Sequence, residues 1–189
     1  MTDKIVFDIE TKNTFDDVGG QSNIGKLEAS VIGTYSYATD TYRVFDEHEM
    51  EELGALIQKA HPLIGFYSKK FDVPVLAKYF NFNLAAIPHY DILEEIEKNM
   101  KRRIGLGVLA EANLGVGKSG HGLQAIDFYR NGEMQKLKDY CIQDVKLTKQ
   151  IYDLIRTQGF LWIPDRMTSK MTKLIIPFTE LAEPQAKLL

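Results

Sequence analysis

The chain has 189 residues, 44% of them apolar and 11% aromatic, the composition of a globular protein with room for a core and not of a disordered chain. Its net charge of −3 lacks the basic excess common in nucleic-acid binders, yet acids gathered around metal ions would present the metal's charge to a phosphate. One cysteine, Cys141, excludes an internal disulfide and a cysteine-rich zinc site. No apolar run approaches the roughly 20 residues of a membrane span and the N-terminus carries no signal pattern, so the expectation is a cytoplasmic protein.

The first predicted element is a strand over Ile5 to Ile9. Ile5, Val6 and Phe7 are consecutive β-branched or aromatic residues, as in a central strand covered on both faces. Asp8 and Glu10 follow in "VFDIET". Alternation along the strand points both to one face, where burying two acids is costly without a cation. An acid pair at the fraying end of a strand is the other reading. "VIGTYSYA" (Val31 to Ala38) and Tyr42 to Phe45 predict an antiparallel meander turning at Asp40. "EHEMEELGALIQKA" has helical spacing at Met50, Leu53, Leu56 and Ile57, and "PLIGFY" reads as another apolar strand.

"FDVPVLAKYF" then predicts a helix with Asp72 at its N-cap and Pro74 in its first turn. In "HYDILEEIEKNMKRR", Asp91 stands three residues before Glu94, a capping-box spacing that gives Asp91 a structural role. "LGVLAEANLG" and "HGLQAIDFYRNG" are short helices ended by Gly115 and Gly132. "ANLGVGKSG" resembles the end of a nucleotide-binding phosphate loop, but Ala112 occupies the position of the first glycine and a helix precedes it, so an NTPase is set aside. Glu133 to Gln158 is the longest helical pattern, stopped by Gly159. On its wheel Asp144 falls within the apolar stripe of Leu137, Cys141, Thr148, Ile151 and Ile155, with Tyr140 one turn earlier. An aspartate there either pairs with a neighbouring base or amide, or serves a site. "FLWIP" and "KLIIPF" predict a C-terminal pair of strands.

The element order is α/β with a mixed central β-sheet flanked by α-helices. One domain is expected over residues 1–189, with 160–189 as a C-terminal extension able to form a β-hairpin.

Three signals stand in order: D-x-E on the first strand, F-D after the "PLIGFY" strand, and Y-x-x-x-D on a late helix. The set "FDIET", "LIGFYSKKFDVPVL" and "YCIQD" resembles the 3′–5′ exonucleases of the ribonuclease H-like superfamily, in the class with four acids and a tyrosine. The proofreading domains of family-B DNA polymerases and their stand-alone prokaryotic relatives are the nearest in look, over roughly residues 1–160. "LGVLAEANLG" is similar to the helix that precedes the family's last motif. One departure is Tyr67, four residues before the motif's Phe71, where the family often has Asn.

The resemblance implies a ribonuclease H-like fold and catalytic residues Asp8, Glu10, Asp72, Tyr140 and Asp144. The four acids would hold two divalent ions, Mg²⁺ or Mn²⁺, since hard cations prefer oxygen ligands, and Tyr140 would orient the attacking water. The implied substrate is a 3′ end of single-stranded DNA or RNA. Thr11 would hold its terminal nucleotide. Arg103 and Lys118, with Lys69, Lys70, Lys98, Lys101 and Arg102, would follow the phosphates. The "KNMKRR" cluster equally suits a solvated helix C-terminus. Tyr67 or Phe15 could stack on a base. Two rivals are a nucleic-acid-binding module on the same fold without turnover and a structure-specific endonuclease of the superfamily.

Overall fold

The structure, a computed structural model, describes residues 2–100, 102–117, 122–168 and 170–181. Its centre is the strand β1, Asp3–Thr11, in which Ile5, Val6 and Phe7 are fully buried. On one side β1 pairs antiparallel with β2 (Ala29–Ser36), which pairs antiparallel with β3 (Thr41–Asp46). On the other side it pairs parallel with β4 (Ala60–Gly65), which pairs parallel with β5 (His89–Asp91). The result is a five-stranded mixed sheet in the order β3-β2-β1-β4-β5. The meander and the α/β architecture are those expected from the sequence.

The alternation along β1 sorts the core into two layers. Ile5, Phe7 and Ile9 pack with Leu53 and Ile57 of α1 (Met50–Ile57) and with Val75 and Leu76 of α2 (Asp72–Leu76). Val6 faces the other way, into a cluster with Ile92 and Ile96 of α3 (Ile92–Met100) and with Val145 and Ile151 of α6 (Met134–Gln158). The helix α6 lies across β1, β2 and β3, and ends where Gly159 takes a left-handed conformation (φ 70°). Two shorter helices, α4 (Leu106–Leu114) and α5 (Gly122–Arg130), pack against α6.

Several boundaries differ from the sequence expectation for physical reasons. "PLIGFY" is a strand only to Gly65, because Tyr67 adopts a left-handed backbone (φ 64°) and turns the chain out of the sheet. "HYD" forms the short strand β5 before α3 begins. "FLWIP" is β6 (Phe160–Pro164), and its antiparallel partner β7 is Met171–Ile175, from Phe160↔Ile175 to Pro164↔Met171. Leu161 and Ile163 tuck this hairpin into the α3–α6 cluster, and Asn113 of α4 bonds both the amide (2.7 Å) and the carbonyl (2.8 Å) of Trp162. Among the described residues, no helix is long and apolar enough to cross a membrane.

One glycine decides how near α6 comes to the sheet. Gly33 of β2 lies opposite Asp8 of β1. A Cβ at Gly33 would sit 2.8 Å from a methyl of Val145 and 2.9 Å from the Cys141 Sγ, both on α6. Only a residue without a side chain permits that approach. Gly33→Ala is expected to lower stability by about 1–3 kcal/mol through overpacking. Val145→Ala in the same chain removes the closest clash, so the double variant should lose less than the two single losses added together, read by urea unfolding. Strict additivity would mean that the helix does not press on Gly33.

Candidate active site

On β1, Asp8 and Glu10 share the face of Val6 and so look toward α6. Asp144 precedes Val145 on the buried stripe of α6. The close packing over Gly33 brings these elements together. Asp8, Glu10 and Asp144 each offer a carboxylate oxygen, and these oxygens lie within 4.8 Å of one another. Glu10 is 8% exposed and Asp144 4%, while Asp8 is half-buried.

Asp72 lines the same cleft. Its position overturns the plain N-cap reading. Phe71 holds the cap position, with no side-chain cap bond, and Asp72 opens α2 as a residue only 3% exposed. Burial pushes that carboxyl up to about 8, against the opposing pull of its own amide and the Ile9 amide. A carboxyl in that state needs a positive partner to ionise at neutral pH.

The loop carrying Asp72 is tied to the end of β5 by side chains. Asp91 is buried and accepts from four backbone amides. Two belong to the loop, Tyr67 (3.0 Å) and Lys69 (3.0 Å), and two to the first turn of α3, Leu93 (3.0 Å) and Glu94 (3.2 Å). The expected cap forms, but Glu94 bonds Lys69 (2.5 Å) in place of closing the box. Ser68 Oγ meets His89 Nε2 at 2.8 Å.

The cleft has a volume of about 420 Å³. Beyond the acids its wall includes Thr11, Phe15, Tyr67 and Phe71, with Ile126 from α5. Phe15 and Phe71 meet edge to face at 5.9 Å. Thr11 spends its hydroxyl on the Asn13 carbonyl (2.9 Å). Tyr140 is buried beside the cleft, not in its wall, with its ring near Phe128 of α5 (6.4 Å). Arg103 lies outside the cleft, bonded to Glu97 (2.9 Å) and stacked over Tyr67. Lys69, Lys70 and Lys98 pair with Glu94, Glu97 and Glu95 of α3. Lys118 and Lys101 fall outside the described residues. The sequence reading passed over Gly33 and the loop-holding role of Asp91. A glycine inside the "VIGTYS" strand was the available signal for the first.

The donor set fits a hard cation. Asp8, Glu10 and Asp144 supply oxygens alone. The neighbouring Cys141 is not part of this oxygen cluster, and its Sγ donates to the Asp8 carbonyl (3.6 Å).

This fold and acid cluster define a class. Residues 5–156 match the RNase H superfamily, and the chain belongs to it. Among solved structures, it superimposes on the family B DNA polymerase from the hyperthermophilic archaeon Pyrobaculum calidifontis with a TM-score of 0.63 at 16% identity. The overlap covers 82% of this chain and 25% of that one, so this chain corresponds to about a quarter of the polymerase's length. None of the curated proteins matches it.

The support beneath Asp72 has a pH signature. Burial, then the charge of Lys69, lowers His89 to about 4 from its usual value near 6.5. The folded state therefore keeps His89 neutral where the unfolded chain takes up a proton. The part of the stability that His89 contributes is complete above about pH 6.5 and is lost as pH drops toward 4, by up to roughly 3 kcal/mol. His89→Asn should flatten that window in urea midpoints measured from pH 7 to 4. An unchanged slope would show that His89 titrates normally in the fold.

Proposed function

We propose that the protein is a metal-dependent 3′–5′ exonuclease acting on single-stranded nucleic acid. The observation that carries this reading is the convergence of Asp8, Glu10 and Asp144, from β1 and α6, in one cleft with Asp72. The ordered motifs "FDIET", "FD" and "YCIQD" and membership of the RNase H superfamily support it.

In this reading Asp8, Glu10 and Asp144, with Asp72, hold two divalent ions, Mg²⁺ or Mn²⁺. Bound there, such a pair supplies positive charge to both the attacking and the leaving oxygen of an in-line phosphoryl displacement. The chain's own residues do the rest. The buried carboxylates are held by the sheet and by α6, so little reorganisation accompanies reaction. Phe15 and Phe71 give the cleft an apolar wall for the terminal base, and Thr11 stands at the end of the acid strand beside the sugar. Tyr140, one turn before Asp144, orients the attacking water through its hydroxyl.

The test is a 5′-labelled single strand incubated with Mg²⁺ or Mn²⁺, which should shorten stepwise from its 3′ end. Asp8→Ala should lower the rate about a thousandfold or more with the fold intact. Either ion should raise the melting temperature of the wild type and not of that variant. Cleavage of a circular single strand would favour the endonuclease. Tight binding of a 3′ end without product would favour the binding module.

A further inference from the structure

A second cavity, of about 400 Å³, opens between the loop joining α3 to α4 and the turn of the β6–β7 hairpin. Arg102, Arg103 and Arg166 line it. Each guanidinium is positioned by a contact with the chain, and Arg103 also bonds the Tyr67 side chain. Arg102 Nη2 donates to the Pro164 carbonyl (2.7 Å), Arg166 Nη2 to the Arg103 carbonyl (3.3 Å), and Arg103 Nε to Glu97 (2.9 Å). A guanidinium has five N–H donors, so most remain for a ligand.

Two acids lie close to this charge: Glu97 pairs with Arg103 (2.9 Å) and Asp165 also lines the cavity, which leaves three guanidinium groups against two carboxylates. Glu97 is shared with Lys70 (3.2 Å). Asp165 is turned into its own loop, accepting from the amides of Met167 (3.0 Å) and Thr168 (2.8 Å) and from the Thr168 hydroxyl (2.9 Å). The amino end of α4, which carries no side-chain cap, also faces the cavity through Gly105 and adds the positive pole of the helix. Three planar forks around an anion-favouring helix end suit phosphate oxygens.

The cavity is joined to the carboxylate cleft by one side chain. The Arg103 guanidinium lies 4.6 Å from the centroid of the Tyr67 ring, and Tyr67 lines the cleft. Tyr67 is held in its left-handed conformation by the bond from its amide to Asp91 (3.0 Å). A bulky residue in that conformation is costly and persists where its surroundings enforce it. Its ring therefore stands between the acids on one side and the arginines on the other.

We propose that the arginine-lined cavity binds the phosphodiester backbone of a single strand upstream of its 3′ end, with Tyr67 as the stacking surface between that subsite and the cleft. The identity of the ligand rests on the exonuclease reading. The subsite is built partly by Pro164, Asp165 and Arg166, which lie beyond the 5–156 region shared with the superfamily.

The test compares a dodecanucleotide with a dinucleotide, by affinity in Ca²⁺ and by degradation in Mn²⁺. Arg166→Glu should weaken dodecanucleotide binding about tenfold or more, and Arg166→Ala should reduce its salt slope by about one. The dinucleotide, confined to the cleft, is the reference, so the affinity ratio of long to short strand falls in both variants. Tyr67→Ala should lower the same ratio and Tyr67→Phe should preserve it. If Arg166→Glu binds the dodecanucleotide as the wild type does, with the same salt slope, the subsite is overturned while the exonuclease reading stands. If the wild type neither binds nor degrades either strand, both fall. Circular dichroism of Arg166→Ala and Arg166→Glu guards against a folding defect, and the alanine variant decides if the charge reversal does not fold.

Discussion

The site depends on holding like charges together. Two carboxylates about 4 Å apart repel by about 4 kcal/mol at the effective dielectric of a protein near its surface. Here three oxygens are confined within 4.8 Å. The packing that confines them is the contact of α6 with β1 and β2 over Gly33. Hydrophobic residues on α6, such as Val145, Ile151 and Ile155, supply the force that docks the helix. The acids take up positions set by that docking and present a cation with a ready-made cage of hard oxygens.

Asp72 reaches the same cleft by a separate route. Its loop leaves the sheet at Gly65 and is fastened to the end of β5 by Asp91 and His89. Tyr67 within that loop has a positive φ. Asparagine, aspartate and histidine are the non-glycine residues that enter this conformation most readily. This chain puts tyrosine there and offsets the strain with the Asp91 bond to its amide and the stacked Arg103.

The parts of this arrangement that were legible in the sequence are those governed by simple periodicity. The period of two along "VFDIET" placed Asp8 and Glu10 on one face. The helical period placed Asp144 in an apolar stripe, and both placements hold in the structure. Asp91 was legible as a cap because helix starts leave amides to satisfy. Its bonds to Tyr67 and Lys69 were not, since they join segments that no local pattern relates. Asp72 was ambiguous because an N-cap and a cleft acid look alike in one dimension. The lysines at 69, 70 and 98 read as phosphate contacts, and their placement beside the acids of α3 was not legible for Lys69 and Lys70, which come from a separate segment. The surroundings of Tyr140 depend on how α5 packs, which helical spacing alone does not encode.

The order of the chain has a consequence for its biosynthesis. Two of the gathered acids lie at positions 8 and 10 and the third at 144, on the last long helix. The parallel pairing of β1 with β4 likewise spans more than fifty residues. Contacts so distant form late, after local helices and hairpins. The three carboxylates therefore cannot meet before the chain as far as Asp144 has left the ribosome. Until then Asp8 and Glu10 lack the third member of their cluster.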